Sequence, residues 1–352
     1  MVRNDRVVMN AEGDTVGLRT ADGKVVWRSQ SEPWGYPTPT LGTDRAYITG
    51  PECVFGLDLD DGEQTWHGTP CHGANTASGT IANGRLYLQY GGYFSALDAN
   101  GDITWASPHD ARGSPAILDQ TAYVATSFTA EAVDLTGNPI ELPWQDPDDD
   151  TPAHVSEQAA TKWSFPPSPF VTDTRITISP AVTDDLVFVT ATDEGEPGGK
   201  LRALDRASGD ERWRIAAPPL RPTEGTPEPV SSPTPPVVTD NLVVTALGDR
   251  RIRAASHAGT IEWTRQLDRE VTELAAGNDT LLALAHDRSV ETTAPGHTSL
   301  VALDLSSGTV LWRLQFEDHL DGLAVAAETV YVTLVTDRQD NEVGAEQLLA
   351  LG

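Results

Sequence analysis

Short apolar segments alternate with polar turns along the whole chain, about every 8–12 residues, and no segment keeps the 3.6-residue period of a helix. Within a repeat, a small apolar segment often follows Ser-Pro, as at residues 114–117. A β-branched or aromatic segment such as 187–189 comes next, then an Ala-Leu-Asp segment such as 201–205, and then a segment that ends in tryptophan. This pattern predicts an all-β chain in which each repeat forms four short strands.

One unit recurs through the sequence. Residues 201–213, LRALDRASGDERW, return as residues 300–312, LVALDLSSGTVLW, and the first four near-copies follow a constant step of 39 residues, from 27 to 66 to 105 to 144. Four-stranded units repeated about every 40 residues are typical of β-propellers. The tryptophans that close the repeats are Trp27, Trp66, Trp105, Trp144, Trp213, Trp263 and Trp312.

Counting the third strands gives the number of blades. They are centred near Leu18, Leu57, Leu97, Val133, Leu204, Ala254, Leu303 and Leu349. We therefore expect an eight-bladed β-propeller of four-stranded antiparallel blades, with a seven-bladed ring as the alternative. The first repeat lacks a recognisable innermost strand, and the last stops before its tryptophan strand, so either the ring closes imperfectly or the chain was cut at one end. Residues 1–352 form one domain in this interpretation, with an inserted acidic loop at 145–177.

The turn between the third and fourth strands has its own chemistry. An aspartate can accept a backbone N–H two residues further on, and a glycine four residues after it can take a positive φ. The tryptophan that follows is expected to bury its ring between blades. The residues assigned to these turns are Asp58, Asp98, Asp205, Asp304, Gly62, Gly209 and Gly308.

The pattern Ala-x-Asp-x-x-(Ser/Thr)-Gly-x-x-x-Trp resembles the tryptophan-docking motif of the pyrroloquinoline-quinone (PQQ) type propellers. Residues 203–213 and 302–312 match it fully, whereas Arg19 and Ser256 replace the aspartate in two repeats and 96–105 is one residue short. That superfamily holds quinoprotein alcohol dehydrogenases and a non-catalytic outer-membrane assembly lipoprotein. The resemblance covers nearly the whole chain and implies the fold more than the function.

The chain carries 52 acidic and 24 basic residues, a net charge of -28. Such a charge is tolerated best where salt screens it, so we interpret the protein as one from a halophile, in the style of salt-in archaea. Without a basic stripe, neither a nucleic acid nor an anionic lipid is an expected partner. The N-terminal residues lack an apolar leader segment, and no run is long enough to span a membrane.

Loop lengths indicate where a site would lie. In a propeller the connections between strands two and three, and those between blades, share one face. The long connections predicted on that face are 145–177, 190–200, 214–232, 285–298 and 333–346. Long loops on a rigid scaffold are where binding residues concentrate. The first of them contains Asp146, Asp148, Asp149 and Asp150, which leaves a calcium site open as an alternative to a solvated acidic loop.

The two cysteines, Cys53 and Cys71, fall in connections on this same face, so a disulfide between them is possible. His67 and His72 flank Cys71, and with Cys53 they offer a less favoured metal site, since their spacing matches no standard zinc pattern. The motif does not match c-type haem attachment.

No catalytic set stands out in the sequence. A quinoprotein enzyme of the resembled family would require Ca²⁺, a carboxylate base and usually adjacent cysteines, and here the cysteines are not adjacent. We therefore favour a non-catalytic scaffold that binds a protein, or else a polysaccharide or small ligand, as a monomer. The alternatives are a PQQ-dependent dehydrogenase and a structural or sensor domain of a larger surface protein. Location at the cell surface follows from the resemblance if a leader is missing, and a cytoplasmic location otherwise.

Overall fold

The computed structural model describes most of the chain. The described residues are 2–3, 5–11, 14–30, 38–49, 54–67, 78–90, 93–107, 109, 111–126, 128–136, 161–167, 174–176, 179–193, 198–218, 233–286, 298–317, 319–326, 329–335 and 346–351. Strands and turns make up this part of the chain, and it contains no helix that could cross a membrane.

Each of the first four blades is one antiparallel sheet whose strands follow one another from the inside outwards. Blade 1 contains β1 (Val2–Arg3), β2 (Arg6–Ala11), β3 (Asp14–Arg19) and β4 (Val25–Gln30). Blade 2 contains β5 (Thr40–Leu41), β6 (Arg45–Thr49), β7 (Val54–Asp58) and β8 (Gln64–His67). Blade 3 contains β9 (Thr80–Ala82), β10 (Arg85–Tyr90), β11 (Tyr93–Leu97) and β12 (Ile103–Ser107). Blade 4 contains β13 (Arg112–Leu118), β14 (Thr121–Ala125), β15 (Ala130–Asp134) and β16 (Thr161–Phe165).

The next four blades repeat the plan with two variations. In blade 5 the inner strand is split into β17 (Thr174–Ile176) and β18 (Ala181–Val182), followed by β19 (Leu186–Asp193), β20 (Gly199–Asp205) and β21 (Glu211–Ala216). Blade 6 contains β22 (Val237–Val238), β23 (Leu242–Ala246), β24 (Arg251–Ser256) and β25 (Ile261–Gln266). Blade 7 contains β26 (Glu270–Gly277), β27 (Thr280–His286), β28 (Thr298–Asp304) and β29 (Val310–Phe316). Blade 8 has three strands in the described part: β30 (His319–Ala326), β31 (Thr329–Val335) and β32 (Glu346–Leu351).

The eight-bladed propeller predicted from the repeats is confirmed, and all eight predicted third strands lie in the third strand of their blade. Both faces of these strands pack against neighbouring blades, so β20 and β28 are buried at six of their seven positions. Apolar side chains on both faces of a strand are what a fully sandwiched sheet requires. The core therefore lies between blades, in clusters such as that of blades 6 and 7 around Ile252 and Leu281.

The ring closes through blades 8 and 1. Tyr331 of β31 is buried in one cluster with Val7 and Met9 of β2, and β30 contacts β1. Around the centre, hydroxyl groups link the inner strands of successive blades: Ser78 donates to the carbonyl of Thr38 at 2.6 Å, and Ser114 donates to the carbonyl of Ser78 at 2.8 Å. These bonds fix each inner strand against the one before it.

The structure corrects two expectations about the repeats. Blade 1 has an innermost strand, β1, which pairs with β2, although the sequence shows no recognisable signal for it. In blade 4 the fourth strand is β16, and Trp163 rather than Trp144 is the register partner of the third-strand alanine, Ala132. The range 145–177 is consequently not one loop, since it contains β16 and β17; Trp144 itself lies outside the described residues.

Candidate binding face

The antiparallel order gives the propeller two distinct faces. The long-connection face carries the links between strands two and three and the links between blades. The short-turn face carries the links between strands one and two and between strands three and four. One prediction about these faces is wrong: most of the acidic insertion joins β15 to β16, across residues 135–160, and so leaves blade 4 on the short-turn face. Only the part that joins β16 to β17 belongs to the long-connection face.

The tryptophans of the fourth strands pack between blades. Five of these rings lie against the turn glycine of the next blade, where a Cβ would come within 2.4–2.8 Å of ring atoms. Four indole N–H groups also donate to a carbonyl of that next turn, all at 2.9 Å. The pairs are Trp27 on Gly62, Trp66 on Gly101, Trp163 on Gly209, Trp213 on Gly259 and Trp263 on Gly308.

Three of the predicted tryptophans have different surroundings. Trp66 finds no acceptor for its indole N–H among the described residues, because the carbonyl of Ala99 in the shortened turn accepts from Arg45 instead. Trp105 is buried and meets Phe94 edge-on, with ring centroids 5.7 Å apart. Trp312, on β29, is 37 % exposed.

The predicted turn aspartates all accept backbone N–H groups. Asp58, Asp98 and Asp205 accept the N–H two residues further on at 2.7, 2.8 and 3.0 Å, and Asp304 accepts that of Ser307 at 2.8 Å. Gly62, Gly209 and Gly308 have φ values of 74°, 76° and 65°. The side chain of Arg212 and the N–H of Ser208 lower the pKa of the Asp205 carboxyl to about 2, since both stabilise its charged form.

Several candidate residues lie outside the described part of the chain. Cys53, Cys71, His72 and the aspartates at 146–150 belong to this group, and the side chain of His67 does too, although its backbone ends β8. The disulfide and the calcium or metal site therefore stay predictions. Among the residues that the structure describes, no three His, Cys, Asp or Glu side chains come together as cation ligands.

Charged side chains that the sequence pattern did not reveal occupy one position of the third strand, directly before the recurring alanine of the repeat; the two arginines among them are buried and Glu131 is partly buried. Glu131, Arg202 and Arg253 occupy it in blades 4, 5 and 6, where other blades carry residues such as Phe55 or Val301. A charge that is removed from water has to be paired. A charged residue within an otherwise apolar third strand was the signal that could have revealed these pairs.

In blade 4, Glu131 pairs with His109, from the connection between blades 3 and 4. The Nε2 atom of His109 lies 3.3 Å from Glu131 and 2.8 Å from the hydroxyl of Thr161, and Nδ1 contacts the hydroxyl of Ser107. Burial lowers the pKa of the His109 imidazole, and the charge of Glu131 partly opposes that shift. Ser107 is itself buried, so this trio is not an accessible nucleophile and works as a polar clamp between blades 3 and 4.

In blades 5 and 6 the buried arginines reach carboxylates at the long-connection face. Arg202 donates to Asp193 at 2.9 Å, contacts Glu211, and stacks over the ring of Phe165 with its guanidinium carbon 5.5 Å from the centroid. Lys200 also contacts Asp193. Arg253 makes a two-pronged pair with Asp249, with one N–O distance of 2.8 Å, and all four side-chain atoms involved are buried. These ion pairs stabilise the long-connection face in blades 5 and 6.

Phe128 lies on the same face, in blade 4. It lies in the connection from β14 to β15, on the long-connection face, and is 52 % exposed. The hydroxyl of Thr126 accepts the N–H groups of Phe128 and Thr129 at 3.2 and 3.0 Å, and the hydroxyl of Thr129 donates to Glu131 at 2.7 Å. The turn that presents the ring is therefore tied directly to the Glu131–His109 clamp.

A groove of about 950 Å³ lies on the opposite, short-turn face, between blades 5 and 6. Its lining is acidic, with one cation, Arg212, which is already bound to Asp205 at 3.1 Å through Nε. Trp213 forms part of its floor while its indole N–H donates to the carbonyl of His257. The groove is thus the surface depression over a tryptophan-docking contact.

Solved structures share this architecture at low sequence identity. The computationally designed protein Ika8 aligns over 100 % of this chain and 95 % of its own, with 13 % identity and a TM-score of 0.71. Quinohemoprotein alcohol dehydrogenase from Comamonas testosteroni aligns over 99 % and 73 %, with 12 % identity and a TM-score of 0.61. Quinohemoprotein alcohol dehydrogenase ADHIIG from Pseudomonas putida HK5 aligns over 88 % and 65 %, with 11 % identity and a TM-score of 0.55. These likenesses show the fold alone.

A comparison with curated proteins finds no match. The family model described as outer membrane protein assembly factor BamB matches residues 11–145 and 153–318, which is most of the chain. Because that match spans the successive blades and their tryptophan turns, the chain belongs to the BamB-type family of PQQ-like propeller repeats.

Proposed function

We propose that this protein is a non-catalytic scaffold that binds a protein partner through its long-connection face. The observation that carries the proposal is Phe128: a half-exposed aromatic residue on a turn whose hydrogen bonds lead to the partly buried Glu131–His109 clamp. Aromatic residues, phenylalanine included, are enriched in the cores of protein interfaces, and a turn whose backbone is already held in place loses little entropy on binding.

The family match supports a protein partner. Its description, an assembly factor, names a role in putting other proteins together rather than a reaction. The net charge of -28 adds a preference for a partner whose contact surface carries arginine or lysine around an apolar pocket. Location outside the cytoplasm is part of the proposal, and cell fractionation that finds the protein only in the cytosol would contradict it.

The test places a photo-crosslinking amino acid at position 128 and, as a control, at position 261. Ile261 is similarly exposed, at 47 %, but lies on the outer strand β25 away from the face. In an extract of the source organism at molar KCl, we expect one discrete protein adduct from position 128 and none from position 261. The partner identified in this way should bind Phe128→Ala about 30-fold or more weakly than the parent, and Ile261→Ala normally. Equal binding by all three would contradict the proposal.

A second candidate function, a PQQ-dependent dehydrogenase, is favoured by the fold shared with the quinohemoprotein alcohol dehydrogenases. The described residues do not bring together the donors for it, because no three carboxylate, imidazole or thiol groups meet among them. The residues present in the described part therefore do not fit a calcium-bound quinone, and we derive no reaction through one.

A further inference from the structure

The groove between blades 5 and 6, on the short-turn face, is bounded by carboxylates on both sides. Asp184 and Asp185 lie in the turn from β18 to β19, and Asp240 lies in the turn from β22 to β23. All three residues are exposed, and none of them has a cation partner within the described part of the chain. The fourth carboxylate, Asp205, is already bound by Arg212. The groove therefore carries three negative charges that the described residues leave uncompensated.

Apolar and aromatic side chains form the floor between these carboxylates. Trp213 is partly exposed there, whereas Trp163 and Trp263, at the equivalent positions of blades 4 and 6, are each only 8 % exposed. Phe188 lies beside Trp213, with ring centroids 5.8 Å apart. The apolar part of the lining also includes Val182, Leu186 and Val238. An aromatic ring next to carboxylates favours an organic cation as ligand, because the ring quadrupole and the negative charges both attract it.

The neighbouring junction, between blades 4 and 5, shows how the same fold fills this position with a residue of its own. Arg206, from the turn between β20 and β21, donates to Asp119 in the turn between β13 and β14 at 2.9 Å, and it lies close to Tyr123. The carbonyl of Arg206 accepts the indole N–H of Trp163 at 2.9 Å. At this junction a guanidinium therefore lies between an aspartate and an aromatic ring.

His257 takes the place of this arginine at the junction between blades 5 and 6. Its carbonyl accepts the indole N–H of Trp213 at 2.9 Å, which makes it the equivalent of Arg206. Its ring packs on Phe188 with centroids 5.6 Å apart, and its Nε2 atom has no hydrogen-bond partner among the described residues. The aspartates between β18 and β19 therefore lack the guanidinium that Asp119 receives one junction earlier.

We propose that this groove is a second binding site, which takes an arginine-containing peptide segment of another protein. The guanidinium of the segment replaces the one that Arg206 supplies at the neighbouring junction, with Asp184 and Asp240 on its two sides and Trp213 beside it. Arginine fits better than lysine, because its planar group pairs with carboxylates through two N–H groups and stacks on rings. The volume of about 950 Å³ lies at the upper end of the range of ligand pockets, about 300–1,000 Å³, so the groove holds several residues rather than one small amine.

The groove and the Phe128 surface lie on opposite faces of the propeller. A chain bound at one of them leaves the other accessible, so the protein can hold two different partners at once. Binding at the groove therefore does not depend on the proposed role of Phe128.

The test is fluorescence anisotropy with residues 1–352 and a fluorescein-labelled, end-blocked peptide of the sequence Gly-Arg-Leu-Arg-Gly. It is run at the lowest KCl concentration at which circular dichroism shows folded protein, because salt weakens exposed ion pairs. We expect saturable binding with a Kd below about 100 µM. Lysine in place of both arginines should weaken binding about threefold or more, and glutamine in their place should abolish saturation.

Asp184→Asn combined with Asp240→Asn removes one carboxylate from each side of the groove and should weaken binding about tenfold or more. Asp44→Asn combined with Asp279→Asn is the matched control. These two aspartates are also exposed, lie in the corresponding turns of blades 2 and 7, and do not line the groove, so the net charge changes equally. The control variant should bind the peptide as the parent does.

Equal weakening in both double variants would show attraction to the overall charge rather than to the groove, and it would overturn the proposal. No saturable binding up to about 1 mM, or equal binding of the arginine and glutamine peptides, would overturn it too. Displacement of the peptide by arginine amide at equal concentration would assign the groove to a small amine and contradict a peptide segment as its ligand. Phe128→Ala should bind the peptide as the parent does, because that ring lies on the other face.

Discussion

Replacing Trp263 by alanine should destabilise the propeller far more than the same change at Trp312. Trp263 is 8 % exposed, rests on Gly308, and donates its indole N–H to the carbonyl of Leu305 at 2.9 Å. Trp312 occupies the equivalent position of the next blade with 37 % exposure. The two variants therefore compare one side chain in one fold, in one case against a docking glycine and in the other with no such glycine among the described residues.

The magnitude follows from the buried area. A tryptophan ring buries on the order of 200 Å², which at about 25 cal/mol per Å² gives about 5 kcal/mol as an upper value. Residual burial in the unfolded chain lowers this by roughly 10–40 %, and the lost hydrogen bond adds about 1 kcal/mol. We expect Trp263→Ala to reduce the free energy of unfolding by about 3–5 kcal/mol. For Trp312→Ala, with about two-thirds of the area term and a less complete cover, we expect about 2–3 kcal/mol.

The assay is denaturant unfolding at molar KCl, followed by circular dichroism, with the slope of the transition checked for each variant. Equal losses for the two variants would show that the turn glycine adds nothing to the tryptophan contact. A loss below about 0.5 kcal/mol for Trp263→Ala would place that ring at the surface and refute the docking geometry.

The other predictions concern salt, a turn glycine and pH. The melting temperature should rise steeply between 0.1 and 3 M KCl, because a Debye length near 3 Å at 1 M screens the repulsion within a charge of -28; a flat salt profile would contradict the halophilic interpretation. Gly209→Val should destabilise the protein by about 1–3 kcal/mol more than Gly84→Val. Both glycines have a positive φ, so a valine at either position strains the backbone, but only the Cβ at position 209 would lie 2.7 Å from the Trp163 ring. Thermal melting of the two variants measures the difference. His109→Gln should reduce the loss of folding stability at acid pH. Burial lowers the pKa of His109 in the folded protein, so the unfolded state binds the proton first, and the free energy of unfolding falls as the pH drops below about 6.5. Unfolding titrations from pH 8 to 5 should therefore show a shallower slope for the variant, and an identical slope would show that His109 is not the sensitive group.

The architecture was predictable because each repeat carries its own local signals. The aspartate and glycine of a turn such as 205–209 specify a tight reversal, and Trp213 marks the strand after it, so the third strands could be placed within a residue or two. The same reasoning placed the fourth strand of blade 4 wrongly, because of the insertion in that blade. Trp144 continues the 39-residue step by coincidence, whereas the strand that pairs with Ala132 begins only at Thr161 and contains Trp163. Periodicity cannot distinguish a tryptophan in an insertion from one in a strand.

The candidate face was predictable only in outline. The order of the strands places Phe128 on the long-connection face, but a lone phenylalanine in a short turn gives no sequence signal of its own. The contacts of His109 could not be predicted either, because the sequence cannot show that Glu131 and Thr161 converge on it from two other strands.

The measurement that tests the central claim most directly is a titration of the protein with PQQ and Ca²⁺ in molar KCl, followed by tryptophan fluorescence. The central claim is that this propeller acts by binding other proteins and not through a quinone cofactor. The account predicts no saturable quenching, together with a retained adduct at position 128. Saturable quenching at micromolar PQQ that requires Ca²⁺ would contradict the scaffold function and assign the chain to the quinone enzymes.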